Sequence, residues 1–347
     1  MKTLIEKITA ENIEKQVHNA ARLIKEGGLV AFPTETVYGL GADALNPQAA
    51  RRIYQAKGRP SDNPLIVHIA DPAKLTQIAE RIPQRAMALG ERFWPGPLTM
   101  IFPKKDCVPL ATTGGLETVA VRMPDHPVAL ALITASTGFI AAPSANASGR
   151  PSPTLAEHVY LDLNGRIPMI LDGGPVGIGL ESTIIDFSEE VPIILRPGFV
   201  TKEMAEAVIG EVRLDPGLKI GEAIAPKAPG MKYRHYAPKA ELILVRGCQD
   251  KVVHTVNRLI EEAEEQGQKI GVISTDETYL CYPRGIVKNI GARKDETVIA
   301  RNLYGILREF DQLDVDRIYS ESFSEQGFGQ AVMNRMLKAA GHRVLEV

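Results

Sequence analysis

Residues 46–69, NPQAARRIYQAKGRPSDNPLIVHI, hold a helix, its stop, a charged turn and a buried strand in one unbroken stretch. Asn46 followed by Pro47 is a helix start, because asparagine accepts from orphan amides and proline fits the first turn, where its missing N–H costs nothing. The amphipathic window Pro47–Lys57 ends at Gly58, the residue type best able to adopt the left-handed backbone that closes a helix. Beyond the turn, the apolar run Leu65–Ile69 reads as a strand with Leu65, Val67 and Ile69 on one face and Ile66 and His68 on the other. A helix feeding a buried strand is the unit from which α/β layers are built.

The same alternation runs outward through about the first 210 residues. Strands are expected at Leu29–Phe32, Leu98–Phe102, Val119–Met123, Ile140–Ala142, Pro168–Leu171, Ser182–Asp186 and Ile193–Arg196. Helices are expected at Asn12–Glu26, Pro83–Phe93, Pro127–Ser136, Thr154–Leu163 and Thr201–Ile209. Between Ala225 and Lys239 the character changes: Pro226, Pro229, Gly230 and Pro238 are interleaved with Lys227, Lys232, Arg234 and Lys239, and no acid is present. Prolines keep such a basic segment extended, so it reads as a linker. Strands at Leu242–Val245, Val272–Ser274, Arg317–Tyr319 and Val344–Val347 then alternate with helices at Lys251–Glu265, Glu296–Phe310 and Gln330–Ala340, the pattern of a small doubly wound domain. The division is therefore residues 1–212, a linker over 213–240, and a second domain over 241–347.

Composition narrows the function. Of 347 residues, 44% are hydrophobic and 24% charged, a globular balance rather than a disordered one. The net charge of −2 provides no global field for nucleic acid or an anionic membrane, so any anion site must be a local cluster. No apolar run is long enough to span a bilayer and no signal-peptide pattern opens the chain, which points to the cytoplasm. The three cysteines, Cys107, Cys248 and Cys281, form neither a disulfide framework nor a metal knuckle and read as reduced structural thiols. No His-x-x-x-His pair occurs among the seven histidines, so no dedicated metal site is expected.

A phosphate-loop triplet is missing, and no serine sits in a hydrolase elbow. Gly39-Leu-Gly41-Ala-Asp-Ala44 formally fits a dinucleotide pattern, but Asn46-Pro47 starts the next helix too late for these glycines to open it. Pro33-Thr34-Glu35-Thr36-Val37-Tyr38-Gly39-Leu40-Gly41 reads as a strand-exit turn offering hydroxyls, a carboxylate and close backbone approach. Between Arg51 and Asp62 the cations Arg51, Arg52, Lys57 and Arg59 outnumber the single acid, Asp62. This is either a polyphosphate-binding turn or a solvated helix end. Arg122 sits in the apolar run Thr118–Pro124, and a desolvated guanidinium needs an anion, for which a substrate carboxylate is one candidate. Ser144, Asn146 and Ser148 follow the apolar run Phe139–Ala142, at the strand end where open α/β sheets bind ligands. Glu181-Ser182-Thr183 and Arg196-Pro197-Gly198 add hydroxyls and a further cation.

Taken in order, Pro33–Gly39, Lys57–Leu65, Ala120–Pro124, Pro143–Asn146 and Leu195–Gly198 closely resemble the YrdC/YwlC family of threonylcarbamoyl-AMP synthases, over about residues 12–210. The remainder is similar to the C-terminal domain of its longer members, on weaker signals that include Ser322-Phe323 and Met333-Asn334-Arg335. The resemblance implies an α/β fold: a YrdC-like twisted mixed sheet with helices, and a smaller Rossmann-like C-terminal domain. It implies condensation of L-threonine, bicarbonate or CO2, and ATP into threonylcarbamoyl-AMP and pyrophosphate, with Mg²⁺ arriving on ATP. Separate transferase proteins would pass the product on to tRNA; direct tRNA binding is a weaker expectation, and none is held for a membrane.

Carried onto this chain, the resemblance places threonine at Thr36, His68, Arg122 and Ser182. It places the nucleotide at Arg59, Asn63, Thr118, Ser144, Ser152 and Arg196, with Lys57 near the phosphates, Asn146 beside them and Tyr236 contributed by a linker lid over Pro229–Pro238. Lys57, Arg59 and His68 are the catalytic candidates, the cations by stabilising charge on phosphoryl oxygens. His68 and deprotonation assisted by the substrate itself remain alternative routes to the free amine. Two other classes stand beside this reading: an RNA-binding module, against which the net charge counts, and a regulatory protein that binds nucleotide or amino acid without turnover.

Overall fold

A computed structural model describes residues 2–218 and 235–347 and divides the chain into two compact units, Met1–Ser148 with Ser152–Lys232 and Gly149–Pro151 with Tyr233–Val347. The first is built on one mixed sheet. Its strands are β1 (Leu4–Lys7), β2 (Val30–Phe32), β3 (Gly39–Asp43), β4 (Ile66–His68), β5 (Leu98–Pro103), β6 (Thr118–Arg122), β7 (Ile140–Ala141), β8 (Met169–Asp172), β9 (Thr183–Asp186), β10 (Ile193–Arg196) and β11 (Arg213–Leu214). They lie in the order β1-β8-β2-β3-β7-β4-β6-β5-β9-β10-β11. The helices are α1 (Ile13–Lys25), α2 (Pro47–Lys57), α3 (Leu75–Ile78), α4 (Gln84–Phe93), α5 (Leu110–Thr113), α6 (Pro127–Ala135), α7 (Ala156–Leu163) and α8 (Lys202–Ile209).

Helix α2 begins and ends as its sequence requires. The Asn46 side chain accepts from the amides of Gln48 and Ala49 at 2.9 and 3.2 Å, and Gly58 closes the helix with φ at 61°. Its buried residues Ala49, Ile53 and Ala56 join the main core on one face of the sheet, where Val67, Met100, Val121 and Ile185 also point. The opposite face is divided. Helices α1 and α6 cover one half, setting Val17, Ala20, Ala21, Ile24 and Leu132 against Val30, Phe32 and Ile140. Ile66, Ile101, Ala120, Ile184 and Leu195 carry the other half, a cluster to which no helix among the described residues contributes.

Strand register places the polar residues on that second half. Ile140 pairs with His68, His68 with Arg122, Arg122 with Thr99, Thr99 with Ile184 and Ile184 with Arg196. Paired residues share a face, so His68, Arg122, Thr99 and Arg196 stand in one row across the sheet. A β-bulge between Ile194 and Arg196 brings the arginine into the row; unbroken pairing would have put Leu195 opposite Ile184.

Strand β3 was not expected. The sequence reading carries the turn after β2 through Gly41, whereas the chain turns within Pro33–Tyr38 and returns as β3, pairing Val30 with Gly41 and Phe32 with Gly39. The glycines make room for the Phe32 ring: a Cβ on Gly41 would lie 2.8 Å from both Phe32 Cε1 and Ile140 Cγ2. The formal dinucleotide pattern is thus a packing device. Strand β11 extends the first unit beyond residue 212, by pairing with β10.

The second unit holds a parallel sheet of β12 (Glu241–Arg246), β13 (Ile270–Ser274), β14 (Ile286–Asn289), β15 (Arg317–Glu321) and β16 (Val344–Glu346), with α9 (Gln249–Glu265), α10 (Glu296–Leu313) and α11 (Gly329–Ala339). Helix α9 packs Val252, Val256 and Ile260 on Val245, Val272 and Tyr319. Gly271 points the other way, where a Cβ would meet Phe310 of α10 at 2.6 Å, so helices flank both faces. The order β14-β13-β15-β12-β16 differs from that of a dinucleotide-binding sheet, although the layers are those of a doubly wound domain.

Filling the space beside Phe32 tests this packing. Gly41→Ala should lower stability by about 1–3 kcal/mol through overpacking, and Phe32→Leu in the same chain should return part of the loss, read from denaturant midpoints of the two single variants and the double one.

Candidate active site

The turn after α2 supplies two cations with different environments. The Lys57 side chain is buried, at 2% exposure, and its ammonium donates to the carbonyl oxygens of Ser144 and Asn146, the latter at 2.5 Å, with Asn146 Oδ1 at 3.4 Å. The Ser148 amide donates back to the Lys57 carbonyl at 2.9 Å. A buried ammonium is tolerated only when its donors are satisfied, so Lys57 ties the loop after β7 to the end of α2. That loop is fixed further by Ser144 Oγ on Asn146 Oδ1 at 2.5 Å and by the Ala147 amide donating to Asp162 at 3.1 Å. Lys57, Ser144 and Asn146, expected around a nucleotide, are therefore joined in one hydrogen-bonded knot.

Arg59 folds over its own turn, with Nε 3.3 Å from the Asn63 carbonyl and Nη2 3.2 Å from that of Pro64. Asn63 is buried, and its Oδ1 has no hydrogen-bond partner among the described residues, nor has the Tyr54 hydroxyl. Burial pushes the Tyr54 phenol up to about 12; the Arg59 charge lowers it and that of Asp62 raises it. An orphaned acceptor and an orphaned hydroxyl beside a guanidinium suit a polar ligand that presents both donors and anionic oxygens.

In the sheet row, His68 Nδ1 lies 3.1 Å from the Ile66 carbonyl and the ring meets Phe32 edge-on. Burial, and after it the Arg122 guanidinium, push the imidazole down to about 3, so it is neutral in the folded protein. Arg122 donates from Nε to the Gly96 carbonyl at 3.3 Å, and its Nη2 stands 2.7 Å from Glu35 Oε1. Ser182 Oγ is 2.8 Å from Thr99 Oγ1 and accepts from Arg196 Nη2 at 3.1 Å, while Arg196 Nε donates to the Ser182 carbonyl at 3.0 Å. Thr36 Oγ1 meets Thr34 Oγ1 at 2.9 Å. The backbone of this turn is held by the amides of Ile178 and Gly179, which donate to the carbonyls of Glu35 and Thr36 at 2.8 and 3.1 Å.

Not every expected residue joins this row. Thr118 opens β6, four positions before Arg122 on the same face and so about 13 Å along the strand. Ser152 is paired elsewhere, its Oγ 2.5 Å from Glu181 Oε1. Tyr236 belongs to the second unit, where its buried ring stacks on Tyr304 with centroids 5.4 Å apart. The lid expected over Pro229–Pro238 lies outside the described residues as far as Arg234. Glu35, Thr99, Tyr54 and Glu181 were absent from the expected site. Thr99, a hydroxyl on the sheet face of the otherwise apolar Leu98–Pro103 strand, was the one detectable by alternation alone.

Among the described residues no three His, Cys, Asp or Glu side chains are grouped as a metal site, and no helix is long and apolar enough to cross a membrane. Cys107, Cys248 and Cys281 are exposed thiols, which corrects their reading as structural: each lies in a polar loop or at an element end rather than on a core-facing position.

Comparison with known proteins covers both units. The family model described as "Telomere recombination" matches residues 22–198, and the one described as "Threonylcarbamoyl-AMP synthase, C-terminal domain" matches residues 200–341. The threonylcarbamoyl-AMP synthase of Bacillus subtilis is 52% identical over 333 residues, 96% of this chain and 95% of that protein. That of Pyrococcus abyssi is 52% identical over 338 residues, 97% and 98% of the two. The crystal structure of P. abyssi Sua5 complexed with L-threonine superposes with a TM-score of 0.93 at 50% identity, covering 100% of both chains. On these matches the chain belongs to the threonylcarbamoyl-AMP synthase family.

Proposed function

We propose that this chain is a nucleotidyltransferase that condenses L-threonine, bicarbonate or CO2, and ATP into threonylcarbamoyl-AMP and pyrophosphate. The observation that carries the reading is the row of His68, Arg122, Thr99 and Arg196 on the half of the sheet face to which no described helix contributes. Family membership and the threonine complex of the P. abyssi relative support it over the RNA-binding and regulatory alternatives.

In this reading threonine lies among Thr36, His68, Arg122 and Ser182, with the Arg122 fork on its carboxylate. ATP lies along Arg59, Asn63, Thr118, Ser144, Ser152 and Arg196 and brings Mg²⁺ on its phosphates as part of the substrate. Lys57 and Asn146 shape the loop that presents Ser144. The threonine amine, once deprotonated, attacks the carbon of CO2, or that of bicarbonate with loss of a C–O bond as water, and an oxygen of the resulting carbamate attacks the α-phosphorus. The bond to the departing pyrophosphate breaks as the new P–O bond forms. Charge gathers on phosphoryl oxygens in that step, and Arg59 and Arg196 stabilise it without any covalent role for the protein. The product then serves threonylcarbamoyl modification of tRNA in the cytoplasm, through separate transferase proteins. Selectivity against serine rests on one methyl group, worth about 1–3 kcal/mol, so serine is expected to be a poor substrate rather than an excluded one.

Pyrophosphate release should require threonine, a carbon source and Mg²⁺-ATP together, with a threonylcarbamoyl-adenylate mass in the fresh product; release independent of threonine would overturn the reading. Arg59→Gln should reduce kcat/KM for ATP by about 10²–10³-fold, in line with removal of one preplaced donor to developing charge. The buried imidazole gives a pH prediction. His68 has a folded-state pKa near 3 against an ordinary 6.5, so the unfolded chain binds a proton that the folded chain refuses. The stability contributed by its neutral form is complete above pH 6.5 and is lost as pH falls toward 3. His68→Gln should flatten the acid limb of stability by up to one proton, about 1.4 kcal/mol per pH unit, as measured by denaturant midpoints between pH 4 and 7.

A further inference from the structure

We propose that Glu35 binds the ammonium group of threonine, and that its ion pair with Arg122 is the closed, amino-acid-free form of a receptor for a zwitterion. The inference rests on the reading above that Arg122 takes the substrate carboxylate. It starts from a pairing in which Arg122 Nη2 and Glu35 Oε1 are 2.7 Å apart with side chains only 5% and 13% exposed. Proximity is not matched by alignment. Neither carboxylate oxygen of Glu35 and no N–H of that Nη2 is in a hydrogen bond among the described residues, so the contact is Coulombic only.

A buried ion pair normally compensates its desolvation through aligned, often bidentate hydrogen bonds. This one has the charges and lacks the bonds. Both its members would gain from an α-amino acid entering between them. The substrate carboxylate presents two oxygens to the guanidinium fork, and the ammonium presents three donors to a carboxylate that has none. Charge balance favours the exchange as well: the pocket is neutral when the pair is closed and neutral again when a zwitterion opens it, so no net charge is buried.

No group in the row carries a negative charge. His68 is neutral, because burial and the Arg122 charge both oppose its protonation, and Arg122 repels an ammonium. His126, which the Glu35 charge also reaches, is held below the usual imidazole range by burial. The backbone under Glu35 is fixed by the Thr34 hydroxyl, which donates to the Val37 carbonyl at 2.7 Å, and by the Ile178 amide on the Glu35 carbonyl. Only the side chain need swing, so opening the pair requires no loop movement.

The test compares L-threonine with its deaminated analogue, 3-hydroxybutanoate, by calorimetry and by competition in the synthase assay, using Glu35→Gln in the full chain. Loss of the charged partner should weaken threonine about 10–100-fold, the range of a hydrogen bond to a charged group. The same substitution should strengthen 3-hydroxybutanoate, because Arg122 no longer has a competing internal carboxylate, while ATP affinity stays within about twofold. A damaged fold would move both ligands in the same direction, and that outcome, or no change in either, overturns the proposal. Arg122→Gln separates the two layers: if it leaves threonine affinity unchanged, the threonine site itself is misplaced. If it abolishes threonine binding while Glu35→Gln shifts both ligands equally, only the ammonium role falls. Should Glu35→Gln fail to fold, Glu35→Asp carries the test, since it retains the charge on a shorter side chain. It should weaken threonine yet preserve more than a tenfold preference over 3-hydroxybutanoate, and equal loss of both ligands would count against Glu35.

Discussion

The parallel pairing of β4 with β6, which sets His68 opposite Arg122, is the constraint from which the rest of the site follows. Side chains alternate with period two, so a slip of one residue would send His68 and Arg122 into the main core beside Val67 and Val121 and bring those valines onto the ligand face. The two faces are too different for the slip to be tolerated. One is a dense apolar layer under α2, α4 and α7; the other ends in charged and hydroxyl groups. The hydrophobic pattern that folds the sheet thus also aims the chemistry, and the bulge at the end of β10 adds Arg196 to a row it would otherwise miss.

Loops gain comparable definition from buried polar bonds. Lys57 reaches from the end of α2 to two carbonyls of the loop after β7, and the Ser144 and Asn146 side chains complete the knot. Strand β3 returns against β2 only because Gly39 and Gly41 leave space for Phe32, whose ring in turn abuts His68. Helix end, glycine strand and strand loop are consequently coupled: each holds in place a group that the ligand face presents.

Much of this is legible in the sequence. Asn46, Pro47 and Gly58 bound α2 by local chemistry alone, and alternation placed His68 away from Leu65, Val67 and Ile69. Four strands escaped: the two-residue β11 is too short to show a pattern, and the other three have identifiable reasons. Gly39–Asp43 carries residues that are poor strand formers, and its partner's ring, not its own side chains, defines it. Leu4–Lys7 and Ile286–Asn289 are short edge strands with partly exposed residues, which leave no alternation to read. The site shows the same limit. That Arg122 needs an anion follows from its apolar surroundings, but the anion seated there is Glu35, from a turn distant in sequence, and only tertiary structure brings the two together. Lys57 likewise reads as a cation near phosphates, and only the folded chain brings its ammonium onto the Ser144 and Asn146 carbonyls.

The same observation explains how a chain of net charge −2 can keep several buried or half-buried cations in its first unit. Each is already engaged by protein oxygens, so ligand binding is an exchange of partners rather than the filling of a bare field, and its yield depends on what must be surrendered. Two of the Arg59 contacts are carbonyl bonds of 3.3 and 3.2 Å, long and made to neutral acceptors. Lys57 would give up short bonds inside a buried knot, and the loop with them. Arg122 would exchange an unaligned ion pair for an aligned one. The cations therefore differ in availability although their formal charge is the same. In the proposed reading a carboxylate improves upon the present contact of Arg122, whereas Lys57 holds its loop by staying where it is.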